Sequence, residues 1–98
     1  MTDEDFGLES QGNEAEWSLL LPHAQADRLI IVSLKLQLYT VANAVAADDR
    51  DLVQGWVDAG EIAKPTPEQL KLWDATPTKP FRMAIVQPFV LAQEIPMN

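Results

Sequence analysis

Apolar residues recur at helical spacing in four segments of the chain, and the first of these begins near Glu14. Asn13 and Glu16 have the N-cap and N3 spacing of a capping box, which predicts the start of a helix there. The apolar stripe of this helix comprises Trp17, Leu20, Leu21 and Ala24. Because Pro22 lacks a backbone N–H, the pattern predicts a kink or a restart of the helix at that residue.

Two more helices are predicted on either side of the acidic turn DDRD. The first covers residues 37–47, and the second begins at Asp48, which has N-cap spacing to Asp51. The apolar face of this later helix comprises Leu52, Val53, Trp56 and Val57. Gly60 would end it in the left-handed conformation. Carboxylates at a helix start are stabilised by free backbone N–H groups, so capping explains Asp48, Asp49 and Asp51 without a ligand.

A fourth, short helix has the most specific local signal in the sequence. Thr66 can serve as N-cap, Pro67 as the first helical residue and Gln69 as the N3 residue of a capping box. This combination predicts a helix that ends near Asp74 and places Trp73 on its apolar face.

Three segments have the composition of β-strands. Residues 28–33 are rich in β-branched side chains, residues 61–64 form a short candidate strand, and residues 81–95 are almost continuously apolar. Pro88 cannot donate to a ladder, so it predicts a bulge, an edge position or a break into two strands. The last strand is expected to be central and to pair with both of the others.

The order of these elements, α-β-α-α-β-α-β, predicts an α+β fold. We expect a small sheet of three to four strands with about four helices, which cover mainly one face. A sheet this small can leave an edge or a face for a second copy of the chain, which makes a homodimer plausible.

Charge divides the chain into two parts. The formal net charge is −8, and residues 1–16 contain six acidic residues and no Lys or Arg. We therefore predict that residues 1–13 are a disordered acidic tail and that residues 14–98 form a single domain. A field of this sign repels phosphate backbones, so direct binding to nucleic acid is not expected.

The sequence predicts a soluble cytoplasmic protein. It contains no cysteine, which excludes disulfides, thiolate metal sites and cysteine nucleophiles. No apolar run approaches the roughly 18 residues of a membrane span. The acidic N-terminus also differs from a signal peptide, which begins with basic residues.

No catalytic, cofactor-binding or metal-binding residue is predicted. The three aspartates of the turn lack the glycine and the distal glutamate of a calcium-binding EF-hand loop. His23 is the one histidine, and it has no evident Ser or Asp partner for catalysis. The four glycines are scattered and form no phosphate-binding loop.

Two groups of residues are candidate binding sites. The tryptophans can pack in the core or contact a protein partner: Trp17, Trp56 and Trp73. A local excess of basic residues can be solvated surface, an anion-binding patch or a docking site for the acidic tail: Lys64, Lys71, Lys79 and Arg82.

The chain resembles a bacterial family known as domain of unknown function 2288. The resemblance extends from about Glu16 to Glu94 and rests on EW, LIIV, AVAADD, VQGWVDAGEI, KPTPEQLKLW and IVQPFVLAQE in that order. It implies a small soluble protein of cyanobacteria and proteobacteria, and it supplies no activity and no catalytic residue.

For function, a non-enzymatic adaptor or regulatory module is preferred, which would dock on a protein partner through an apolar face that includes a tryptophan. The alternative is a small-molecule or anion-binding domain, or a minor enzyme, that uses the basic loops around residues 64–82. A weaker alternative is an acidic mimic of nucleic acid.

Overall fold

The computed structural model describes residues 14–95 of the chain. The predicted disordered tail, residues 1–13, lies outside the described residues, and so does the predicted cap Asn13. Residues 96–98 are also outside them.

The centre of the fold is a mixed five-stranded sheet with the strand order β1-β4-β5-β2-β3. The strands are β1 (Glu14–Glu16), β2 (Leu29–Val32), β3 (Ile62–Ala63), β4 (Pro80–Val86) and β5 (Phe89–Glu94). Only β2 and β5 are parallel neighbours, and the other three pairs are antiparallel. The predicted α+β class is confirmed, with five strands instead of three or four.

Four helices within residues 14–95 cover both faces of this sheet. They are α1 (Trp17–Gln25), α2 (Leu38–Ala46), α3 (Arg50–Asp58) and α4 (Pro67–Asp74). Helices α1 and α4 pack on one face, and α2 and α3 pack on the other. The expectation that helices cover mainly one face is therefore wrong. Helices are needed on both faces because successive residues of β2 and β5 are apolar, and these residues point to both sides of the sheet.

The two faces have separate cores, because successive residues of a strand point to opposite sides. Under α1 and α4 the buried residues are Ala15, Trp17, Leu20, Leu29, Trp73, Phe81, Val90 and Ala92. Under α2 and α3 they are Val32, Leu38, Val41, Ala42, Ile62 and Leu91.

The chain enters the fold as a strand, which corrects the helix predicted from Glu14. Glu14 and Ala15 lie opposite Arg82 and Phe81 in the antiparallel pairing of β1 with β4. Helix α1 begins after Glu16, whose side chain makes no capping hydrogen bond. The helix also continues through Pro22, so the predicted restart does not occur.

Strand β5 lies in the middle of the sheet as expected, but one of its predicted partners is wrong. It pairs with β2 and β4, whereas β3 pairs with β2 alone. The apolar run over residues 81–95 divides at a tight turn in which Val86 lies opposite Phe89. Pro88 is in that turn, so the break into two strands is the alternative that the structure confirms.

The capping predictions are confirmed for two helix ends and corrected for one. The Thr66 hydroxyl accepts a hydrogen bond from the Gln69 N–H at 3.1 Å, and the Gln69 side chain accepts one from the Thr66 N–H at 2.9 Å. Gly60 follows α3 with a φ of 76°. The cap of α3, however, is Asp49, which accepts from the Leu52 N–H at 3.3 Å. Asp48 instead adopts a φ of 59° after α2.

A buried glutamine connects β5 to the segment between β2 and α2. The Nε2 atom of Gln93 donates to the carbonyl oxygens of Ser33 and Leu36, each at 2.8 Å. These hydrogen bonds fix the path of the chain as it leaves the sheet and enters α2.

Candidate functional site

Two of the three tryptophans are inaccessible, because they form an aromatic cluster between α1, α4 and β4. The exposed fraction is 1% for Trp17 and 2% for Trp73. Their ring centroids are 5.1 Å apart, and Phe81 lies 5.8 Å from Trp17 and 5.0 Å from Trp73. The Trp17 Nε1 atom donates to the Asp74 carboxylate at 2.6 Å. These contacts assign Trp17 and Trp73 to the core and remove them as partner contacts.

Trp56 differs from them, because it is half-buried on helix α3. None of the nine described residues of α3 is buried, although its sequence has a clear apolar face. Leu52 retains an exposed fraction of 44% and Val57 one of 47%. Val53 and Trp56 make the contacts of the helix with the core below. The helix therefore rests on the sheet by the middle of its apolar face and leaves both margins accessible.

An apolar cleft of about 490 Å³ lies beside α3, and we call it the α3 cleft. Val53 and Val57 contribute from the helix, Ile30 and Leu91 from the sheet, and Phe89 from the start of β5. The cleft is also lined by Val45 of α2, by the two residues of β3 and by Lys64. We define the α3 surface as the partly accessible apolar side chains of α3 together with Phe89 of the cleft: Leu52, Val53, Trp56, Val57 and Phe89.

The sequence predicted the apolar face of α3 but did not predict its exposure. The exposure follows from the length of β3, which has only two residues. Because this edge strand is so short, the sheet covers only part of the apolar face of α3.

The segment of the chain that carries α3 is acidic. The segment over residues 48–64, which includes α3 and β3, contains five carboxylates and two basic residues. Both bases are paired: Arg50 contacts Asp48 at 3.5 Å, and Lys64 contacts Asp27 at 2.8 Å. The lining of the cleft is therefore apolar except for Lys64, which is paired with Asp27, and the helix beside the cleft carries the exposed carboxylates Asp51 and Asp58.

The four basic residues of the candidate anion patch lie on different elements of the fold. Lys64 lies at the α3 cleft, whereas Lys79 lines a different cavity, contacts Glu94 at 3.3 Å and lies 5.7 Å from the Phe81 ring. Lys71 is on α4, and Arg82 is on β4 opposite Glu14. Of the cavities described for residues 14–95, none is lined by more than one of the four.

The aspartates of the turn and His23 lie in different parts of the fold. Asp49 caps α3, and His23 is on α1 at the opposite face of the sheet. The His23 Nδ1 atom is buried and has no hydrogen-bond partner among the described residues. Within residues 14–95, no three His, Asp or Glu side chains are grouped so that they could hold a metal ion.

Among the described residues, no helix has the length and apolar character that a membrane crossing requires.

Comparison with known proteins gives a family and one similar structure. The family model described as "Protein of unknown function (DUF2288)" matches residues 5–94. The solution NMR structure of PA1075 from Pseudomonas aeruginosa has 28% sequence identity and a TM-score of 0.77, and the match covers 87% of this chain and 78% of that one. No curated protein matches the chain.

Proposed function

The chain belongs to the family of proteins of unknown function DUF2288, and we propose that it is a non-enzymatic interaction module that docks on a protein partner through the α3 surface. The observation that carries this proposal is the exposure of the apolar margins of α3. Trp56 is the tryptophan of the proposed contact, because Trp17 and Trp73 are in the core.

The energetic reason for docking is the apolar surface that a partner would remove from water. Full burial of a Leu, Val or Phe side chain contributes roughly 1.5–3 kcal/mol. Leu52 and Val57 have nearly half of their surfaces still accessible. A partner that covered Val57 together with Phe89 would gain the remaining part of this stabilisation on the cleft side of α3, and large aromatic residues such as Trp56 are frequent hot spots of binding.

Other conspicuous side chains have structural roles that account for their presence. Asp49 caps a helix, Lys64 and Lys79 form ion pairs, and Gln93 satisfies two carbonyl oxygens. The α3 surface is different, because Leu52 and Val57 leave nearly half of their apolar surface exposed to water. This contrast favours a binding role for α3 over an active site elsewhere.

The test is affinity purification of the full chain from its native cells, with Val57→Gln as the disrupting variant. Leu72→Gln is the matched control, because Leu72 is on α4 with an exposed fraction of 67% and lies on the other face of the sheet. We expect one protein to be retained by the wild type and by Leu72→Gln, and to be lost with Val57→Gln. The retained protein must then bind the purified chain directly. Equal retention by Val57→Gln, or recovery of the chain alone, would contradict the proposal.

A second candidate function is the binding of a small apolar molecule in the α3 cleft. The volume of about 490 Å³ favours it, since ligand pockets span roughly 300–1,000 Å³. Lys64 at the cleft would then be the polar group that orients the ligand. Native mass spectrometry of the purified chain tests this alternative, because a bound small molecule would add a discrete mass that Val57→Gln reduces.

A further inference from the structure

We infer that the partner of the α3 surface is a cationic amphipathic helix, with apolar side chains on one face and Lys or Arg on its flanks. The inference deepens the proposed function and rests on it. It names the chemistry of the partner from two independent properties of the site, its shape and its charge.

The shape of the site fits a helix. Val53 and Val57 are one helical turn apart on the α3 side of the cleft, and Ile30 and Phe89 lie on the sheet side. An apolar groove of this kind accepts the apolar side chains that recur every three or four residues along an amphipathic helix. The apolar residues of the partner would fill the cleft and cover Val57 and Phe89.

The charge of the site selects a basic partner. Five carboxylates and two bases give the segment over residues 48–64 a net charge of −3. Asp51 and Asp58 are exposed on α3, on the side of the helix that faces away from its core contacts. Lys or Arg residues that flank the apolar face of a partner helix would approach these carboxylates.

The same charge argues against two other occupants. A second copy of the chain would bring two segments of net charge −3 into contact. The N-terminal segment of the chain has six acidic residues and no basic residue among residues 1–16. Like charges in an interface oppose association, so neither occupant matches the α3 surface as a cationic helix does.

The experiment is a titration of the ¹⁵N-labelled full chain with two synthetic helical peptides. Both have leucine on one face, and the other face has lysine in the first peptide and glutamate in the second. We expect the lysine peptide to bind and to shift the amide signals of Val53, Val57, Ala63 and Phe89. We expect the glutamate peptide to leave these signals unchanged. We also expect added salt to weaken the binding of the lysine peptide.

Two pairs of variants separate the apolar contribution from the charge. Val57→Gln should abolish binding of the lysine peptide at α3, and Leu72→Gln should not. The double variant Asp51→Asn/Asp58→Asn should weaken binding roughly threefold to tenfold, as expected for two exposed charge pairs. Its control, Glu16→Gln/Glu68→Gln, changes the net charge of the chain equally at sites outside residues 48–64 and should have little effect.

The outcomes distinguish this inference from the proposed function. If both peptides bound, the inference of a cationic partner would be overturned. It would also be overturned if the lysine peptide lost the same affinity for the two charge variants. Shifts that avoid α3 and persist in Val57→Gln would also overturn it, because they indicate binding to the acidic residues elsewhere. In each case the native partner could still depend on Val57, and the proposed function would stand. If Val57→Gln retained the native partner in the affinity purification, that result would instead contradict the proposed function itself.

Discussion

The amide of Gln93 shows how much a single buried polar side chain can contribute to this fold. It is the donor for two carbonyl oxygens, those of Ser33 and Leu36. Replacing it with leucine keeps the approximate volume and removes this donor from both oxygens. The Ser33 oxygen still accepts from the Leu36 N–H at 3.1 Å, so the Leu36 oxygen is the one that loses its partner. We expect Gln93→Leu to lower the free energy of unfolding by about 2 kcal/mol, because an unsatisfied buried polar group costs about 1–3 kcal/mol.

Urea denaturation measures this change, with Gln25→Leu as the control. Gln25 is exposed at the end of α1, and substitution at such a surface site normally changes stability by less than about 0.5 kcal/mol. If Gln93→Leu were as stable as the control, the two hydrogen bonds would have no net stabilising role.

We expect substitutions of the neighbouring residues Asp48 and Asp49 to differ in their effect on the free energy of unfolding. Asp49 caps α3, so Asp49→Ala should lower the free energy of unfolding by about 1 kcal/mol. Asp48 has a left-handed φ of 59°, a conformation that glycine adopts without strain, so Asp48→Gly should be neutral or stabilising. Thermal unfolding of both variants gives the comparison. The reverse order of stabilities would restore Asp48 as the cap.

The sequence pattern located the cap to within one residue but could not choose between adjacent aspartates. The spacing of Asp48 to Asp51 satisfies the capping rule. The choice depends on where α2 ends, since its final turn places Asp48 in the left-handed position. That end is determined by packing of α2 on the sheet, which local spacing does not encode.

At the scale of elements, helix α3 contains a glycine that the fold does not require. A Cβ atom at Gly55 would meet no other heavy atom within 4 Å. Gly55→Ala should therefore raise the free energy of unfolding by roughly 0.5–1 kcal/mol, through the lower backbone entropy of the unfolded chain. The same substitution at Gly60, which has a φ of 76°, should destabilise the protein.

Chemical denaturation of the two variants tests this contrast. A gain at Gly55 together with a loss at Gly60 is the expected result. A loss at Gly55 would mean that α3 tolerates no added side chain on that side, contrary to the open space around it.

The elements that the sequence predicted well are those with local signals, and those it missed depend on distant contacts. The capping box at Thr66 fixes the start of α4 within a few residues of sequence. Strand β1 has no such signal, because EAE contains one apolar residue and becomes a strand by pairing with Arg82, Phe81 and Pro80. The local capping pattern around Glu16 therefore predicted a helix one turn too early.

The packing of helices on both faces of the sheet could have been predicted from the sequence. The segments LIIV and FVLA show apolar residues at successive positions, which is the pattern of strands buried on both faces. Counting this signal would have predicted helices on both sides of the sheet. The candidate site was not predictable in the same way, because the exposure of Val57 and Phe89 depends on how β3 and α3 are placed relative to each other.

For the whole molecule, the two faces of the sheet differ in how completely they are closed. The face under α1 and α4 contains the tryptophan cluster and a hydrogen bond from Trp17 to Asp74. The other face is closed by α2, while α3 adds only partly buried residues. Local stability follows buried apolar contact, so α3 should be the weakest of the four helices.

Native-state hydrogen exchange gives the final prediction. We expect the hydrogen-bonded amides of Val53 to Val57 to exchange through a local opening whose free energy is clearly below that of global unfolding. The amides of Leu91 and Ala92 in the central strand should exchange only through global unfolding, because both residues are buried and paired on either side. A partner on the α3 surface would bind only the closed helix, and it should therefore slow exchange in α3 more than in β5. Equal opening energies for the two segments would show that α3 is an integral part of the cooperative core, and its exposed residues would then need another explanation.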